Sequence, residues 1–172
     1  EVVLKGSDHN GVLWGLDFLC DVNLGREVDV KGKVVVIGGG NVAVDVAMTA
    51  LRLGADSVQI VCLETGDDIP AHREEIEQAL AEGVIIDQGW GPLKVLGGPG
   101  GVTGIELGRC TRLTDKDGKF DPLLDENDRK TLDMDMVILA VGQAPDFSLL
   151  PGGLNITGRG TVQVDPVTCE TS

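Results

Sequence analysis

The sequence predicts an α/β fold: a three-layer domain with a central parallel sheet and an antiparallel β-meander. Three observations carry this. Val34-Val35-Val36-Ile37 and Met136-Val137-Ile138-Leu139 are short, uninterrupted apolar runs, and each is soon followed by glycine. Such runs read as strands buried on both faces, which is the habit of parallel sheets. Behind the first run comes an alanine-rich segment with apolar residues at helical spacing, Ala43, Ala47, Ala50 and Leu51. Further on, Leu93–Leu96 and Val102–Leu107 flank Gly97-Gly98-Pro99-Gly100-Gly101, the pattern of an antiparallel hairpin.

The junction of the first strand and its helix carries the chemistry. Gly38, Gly40 and Ala43 fit G-x-G-x-x-G/A. The first small residue makes the tight turn, the second admits a ligand to the backbone, and the third allows close helix–strand packing. The first N–H groups of the helix lack intrahelical partners and sit at the positive end of its dipole, so they favour a diphosphate. The alternative is a strand–helix turn that binds nothing; the strand before and the helix after favour a Rossmann-like nucleotide-binding turn. The next strand, Ser57–Leu63, belongs beside the first by right-handed crossover. In such folds the residue at its tip separates NAD from NADP, because an acid accepts hydrogen bonds from the ribose 2′-OH and an arginine pairs with a 2′-phosphate. Glu64 stands at that tip, and no Lys or Arg lies between Arg52 and Arg73. The alternative for Glu64 is an exposed loop carboxylate.

Composition bounds the function. The chain has 172 residues, enough for one domain with trailing segments. Its net charge is −14, which repels nucleic acid and anionic membranes. Any phosphate it binds is therefore expected to rest on backbone N–H groups rather than on a lysine cluster. No apolar run is long enough for a membrane span, and the start is not a signal peptide. With no initiator Met, the sequence is expected to be a piece of something longer. Cys20, Cys62, Cys110 and Cys169 are scattered without a C-x-x-C, so neither a zinc ribbon nor a dithiol pair is written here. They read as small buried hydrophobes or free thiols, and a reducing, cytoplasmic setting follows.

Taken in order, Val2-Val3-Leu4 is a strand candidate and Gly6–Gly11 a polar turn. His9 lies in that turn and reads as a solvated loop histidine. Val12–Leu19 suits a short helix, and 25–32 reads as loop. The glycine-turn helix ends near Leu53-Gly54, with Gly54 as its cap. A second helix is expected from Asp67-Asp68-Ile69-Pro70-Ala71 through Glu82, with Asp68 as its cap and Gly83 as its stop. Val84-Ile85-Ile86 is a third strand. Thr111–Lys130 is charged and turn-rich and reads as an exposed excursion, after which Thr131–Met134 closes a three-stranded meander. Asp115, Asp117 and Gly118 faintly suggest a calcium loop, but the flanking helices and the closing Glu are missing. The run ending at Gly142 stops where a cofactor lies in open α/β sheets. Thr161–Asp165 is a last strand candidate.

Several of these stretches together resemble a known family. Gly38-Gly39-Gly40-Asn41-Val42-Ala43-Val44-Asp45, Arg52-Leu53-Gly54-Ala55, Ile69-Pro70-Ala71 with Glu75, Glu82-Gly83-Val84 and Ala140-Val141-Gly142-Gln143-Ala144-Pro145 occur in this order. They resemble the NAD(P)H-binding domain of the glutamate synthase small (β) subunit family, within the FAD-dependent pyridine nucleotide–disulfide oxidoreductases. The resemblance implies that residues 1–172 form an NAD(P)H-binding domain, with 1–30 and 161–172 crossing to an absent FAD domain. It implies that Gly38, Gly39, Gly40, Asn41, Val42 and Ala43 cradle the diphosphate. Asp45 then sits near the nicotinamide end, and Gly142 and Gln143 line the cleft through their backbone.

The implied function is a relay. NAD(P)H bound here presents its nicotinamide to FAD on the missing domain, and electrons pass on to an iron–sulfur domain or a larger subunit. The isolated chain is then inactive, with no catalytic residue and no metal of its own. One departure matters: the family commonly carries an arginine pair at the second strand's tip, where this sequence has Leu63 and Glu64. That charge reversal favours NADH. The absent C-x-x-C argues against thioredoxin reductase, a structural cousin. The absence of any tyrosine excludes the Tyr-x-x-x-Lys pair of a short-chain dehydrogenase. A stand-alone dinucleotide-sensing domain without catalysis is the alternative.

Overall fold

A computed structural model describes residues 4–142, 146–148, 152–158 and 160–171. It divides into two compact units, Glu1–Val141 and Gly142–Ser172.

The first unit holds two sheets. The five-stranded sheet is wholly parallel and has the order β1-β8-β2-β3-β4. Its strands are β1 (Val12–Trp14), β2 (Lys33–Ile37), β3 (Ser57–Cys62), β4 (Ile85–Gln88) and β8 (Met136–Leu139). The three-stranded sheet is an antiparallel meander of β5 (Trp90–Gly98), β6 (Gly101–Thr114) and β7 (Phe120–Leu132). Helices α1 (Gly15–Asn23), α2 (Asn41–Arg52) and α3 (Arg73–Ala81) complete it.

The period-2 geometry of a strand explains the layers. Val34 and Val36 of β2 face one core, with Phe18, Ala43, Val46, Ala47 and Ala50 from the helices. Val35 and Ile37 face the other, with Val95, Val102, Ile105 and Leu107 from the meander. β8 divides in the same way, Met136 and Ile138 toward the helices and Val137 and Leu139 toward the meander. A run that is apolar at every position is thus two alternating faces, each with its own core. The expected three-layer α/β fold, parallel sheet plus meander, is what the chain adopts.

Four local expectations differ from the structure. Val12–Leu19 is not one helix: Val12, Leu13 and Trp14 pair with Val137, Ile138 and Leu139, and α1 begins at Gly15. The open edge of β8 overrides local helical spacing, as tertiary context commonly does. The second helix starts at Arg73 rather than near Asp68, which instead ends a 3₁₀ turn, Gly66–Asp68. Ile69 and His72 are extended because their segment bonds to the glycine turn, as described below. Residues 111–130 are not an irregular excursion but the ends of β6 and β7. Their side chains are mostly exposed, so no apolar alternation announces them. Cross-strand charges mark the pairing instead, Arg112 with Asp121 and Arg129 with Glu106. The Asp115 carboxylate accepts the N–H groups of Asp117 and Lys119 to build the tight turn, a non-metal use of that acidic cluster. Finally, Thr161–Asp165 forms only isolated bridges, Ile156 with Val162 and Val164 with Thr171, within the second unit. The strand candidate at Val2-Val3-Leu4 lies, apart from Leu4, outside the described residues.

The termini of α2 and α3 are tied together at their C-terminal ends. Gly54 follows α2 at φ +105°, and Arg52 donates to both carboxylate oxygens of Glu82 at 3.0 and 2.6 Å. No helix among the described residues is long and apolar enough to cross a membrane.

Candidate functional site

The chain leaves β2 for β3 and β4 on one side, then returns to lay β8 on the other side. Strand order therefore reverses at β2, and the crevice outside the carboxyl ends of β2 and β8 is the place where open α/β sheets bind ligands. The glycine turn sits there.

Each glycine answers a different demand. Gly38 has φ +143°, and its N–H donates to Val61 O at 2.9 Å. A Cβ on it would press into the Ala140 carbonyl, well inside the 3.0 Å that real Cβ atoms keep. It lets the ends of β2, β3 and β8 converge. Gly39 is closed in: a Cβ there would lie 2.8 Å from Glu64 Oε2, 3.1 Å from Cys62 Cβ and 3.3 Å from Pro70 Cδ. Gly40 is the opposite case, with φ −89°, ψ 174° and nothing within 4 Å of a Cβ. Among the described residues nothing demands glycine at 40; what it keeps open is space over the backbone.

That space faces donors. Ala43 N–H and Val44 N–H both turn back to Gly40 O, at 2.9 and 3.3 Å. Among the described residues, the N–H groups of Gly39, Gly40, Asn41 and Val42 meet no acceptor. Ala43 is thus spent on starting the helix and on packing, with no exposed surface, while its four predecessors offer free amides at the positive end of α2. A diphosphate fits this turn in charge and in room.

A strap crosses the turn. Ala71 N–H donates to Gly39 O at 3.0 Å, and His72 N–H donates to Asn41 Oδ1 at 2.9 Å. The strap covers the Gly39 side and leaves the Gly40 side open. It is the part of the site that sequence reasoning misplaced: Ile69-Pro70-Ala71 was legible as a motif, but its segment reads as a helix start. The Asn41 side chain is accordingly a tie to the strap.

Glu64 stands two residues past the end of β3 and its half-buried carboxylate reaches back over Gly39, so strand tip and glycine turn come together. Asp45 is exposed in the second turn of α2. Gly142 opens the second unit at φ +97°, and Gln143 lies outside the described residues. Beneath the tip, Cys62 is 2% exposed, and burial, then the carboxylates of Glu64 and Asp87, push its thiol up to about 12. It stays protonated and inert at neutral pH. All four cysteines are free thiols. No three His, Cys, Asp or Glu residues come together as a metal site among the described residues.

Residues 4–172 match the family model of the pyridine nucleotide-disulphide oxidoreductases. The chain is 39% identical over 169 residues to the NADP(+)-dependent formate dehydrogenase subunit beta of Moorella thermoacetica, covering 95% of this chain and 24% of that protein. It is 36% identical over 174 residues to the glutamate synthase [NADPH] small chain of Halomonas elongata, covering 92% of this chain and 36% of that protein. The chain thus spans well under half the length of these curated relatives. In fold it is similar to Mycobacterium tuberculosis FprA in complex with NADPH, with a TM-score of 0.68 at 20% identity, over 97% of this chain and 51% of that one. It is also similar in fold to T. acidophilum thioredoxin reductase, with a TM-score of 0.66 at 21% identity, over 96% of this chain and 48% of that one. With the family model matched along nearly its whole length, the chain belongs to the pyridine nucleotide-disulphide oxidoreductase family.

Proposed function

We propose that this chain is the nicotinamide-nucleotide-binding part of a flavoprotein oxidoreductase, that it prefers NADH, and that it presents the nicotinamide to FAD held elsewhere in a parent protein. The observation that carries the proposal is the pairing of four amides, Gly39 to Val42, that meet no acceptor among the described residues, with open space over Gly40. The diphosphate rests on those amides. Gly38 and Ala43 shape the turn, and Asp45 faces the nicotinamide end. Residues 1–30 and 161–172 cross to the FAD domain, and an iron–sulfur domain or larger subunit takes the electrons onward. Four free thiols suit a cytoplasmic setting.

The choice of NADH rests on Glu64. Its carboxylate can accept both ribose hydroxyls and repels a 2′-phosphate. Hydrogen bonds to a charged group contribute about 1.5–3 kcal/mol, or about ten- to a hundredfold in affinity. The formate dehydrogenase and glutamate synthase relatives are named for NADP(+) and NADPH, so the preference here is a departure from them. Bound nicotinamide would supply a hydride; the chain's own part is to hold the diphosphate and orient the ribose. Calorimetric titration with both reduced nucleotides tests this. NADH is expected to bind at least tenfold tighter than NADPH. Tighter NADPH binding discards the preference, and binding of neither discards the site.

A further inference from the structure

We propose that Arg109 is a second determinant of nucleotide choice, placed to bind a phosphate on the 2′ position of the adenosine ribose and acting against Glu64. This rests on the dinucleotide reading above. Arg109 lies on β6 directly opposite Trp90 of β5, and its guanidinium carbon stands 3.8 Å from the centroid of that buried ring. A guanidinium stacked on an indole is held in plane with its N–H donors at the edge. Its Nε donates to Asp128 at 3.3 Å, but among the described residues its Nη groups meet no acceptor. By contrast, Arg112 and Arg129 spend their Nη groups on Asp121, Glu106 and Glu126.

The free Nη groups sit beside the tip of β3. Gly89 N–H donates to Glu64 O at 3.1 Å, and Cys110 N–H donates to Gly89 O at 2.9 Å, which seats β6 against the tip. A Cβ on Gly89 would lie 3.1 Å from Thr65 Cγ2 and 3.5 Å from Arg109 Nη1. Among the described residues Glu64 and Arg109 form no ion pair with each other, and although Arg109 pairs with Asp128 through Nε, its Nη groups remain available to a third party. Glu64 reaches back over Gly39, on the glycine-turn side of the tip, and Arg109 stands on the meander side. An adenosine ribose is joined to the diphosphate through its 5′ carbon. The proposed pose sets the ribose 2′ position at the tip of β3 beside Glu64, with Arg109 next to it across Gly89. The guanidinium fork suits a phosphate there. The two residues act in opposite directions, the carboxylate for a ribose diol and the guanidinium for a 2′-phosphate.

The test measures dissociation constants of NADH and NADPH for the full chain and for Arg109→Gln and Glu64→Gln. The NADPH-to-NADH ratio of dissociation constants is expected to rise about tenfold in Arg109→Gln and to fall in Glu64→Gln. A merely structural role for Arg109 would weaken both nucleotides alike, and an unchanged ratio overturns the proposal. A second measurement needs no variant: the Arg109 guanidinium resonance should shift in NMR with 2′,5′-ADP and not with ADP. Equal shifts, or none, also overturn it. Binding of both nucleotides with an unchanged ratio removes only Arg109, whereas binding of neither by the unaltered chain removes the dinucleotide reading and Arg109 with it.

Discussion

Replacing Gly38 and Gly40 by alanine, one at a time, should separate folding from ligand binding within three residues. Gly38 has φ +143°, a region that side chains rarely adopt, and its new methyl would press into the Ala140 carbonyl at the end of β8. Backbone strain there costs about 1–3 kcal/mol before any steric overlap is counted. β8 and β2 cannot separate to relieve the overlap, because Ala140 N–H donates to Ile37 O at 2.8 Å and both strands are buried. A loss of about 3 kcal/mol or more is therefore expected, which in a chain of this size lowers Tm by about 6–12 °C. Gly40→Ala meets no atom of the described residues within 4 Å and keeps φ −89°, so its stability should stay within about 1 kcal/mol of the parent. Its methyl instead fills the room over the free amides, and the dissociation constant for NADH should rise about tenfold or more. Thermal unfolding followed by circular dichroism reads the first effect and calorimetric titration the second. Equal destabilisation by the two substitutions would refute the division of labour between the glycines. Undiminished NADH binding by Gly40→Ala would refute approach from that side.

Two other outcomes follow from contacts at the same turn. Asn41→Ala removes the acceptor for His72 N–H, so that amide should exchange faster with deuterium and NADH binding should weaken about fivefold, the equivalent of about 1 kcal/mol for one hydrogen bond. Unchanged protection at His72 would count against the strap. The buried Cys62 thiol, raised to about 12 from an unfolded value of 9.0, stays neutral in the folded chain while the unfolded chain ionises. Its contribution is fully present below pH 9.0 and is lost as pH rises toward 12, at up to about 1.4 kcal/mol per pH unit. Cys62→Ala should flatten urea-measured stability across that window; an identical slope would show that other groups titrate there.

Much of the architecture could be read in one dimension. Four consecutive buried residues in β2, three glycines and an alanine-rich helix state a local rule: strand, turn, helix with free amides. Such features depend on nearest neighbours and on solvent, so local sequence determines them. The two cores are equally legible, because alternation about a strand is a property of the chain alone.

Other features required distant partners. Val12–Trp14 became a strand only because β8 presented an open edge 125 residues later, Val12 opposite Val137. The segment from Ile69 to His72 stayed extended because Gly39 O and Asn41 Oδ1 accept its N–H groups. β7 hides its pairing because its exposed side chains carry no apolar signal. The sequence alone thus determined the glycine turn and its chemistry, including the acid at Glu64. Only the tertiary structure decided which side of that turn is open, and it brought Arg109 to the same tip. Hydrophobic pattern and turn chemistry act locally, whereas a strap, an edge pairing or a stacked guanidinium exists only once remote segments meet.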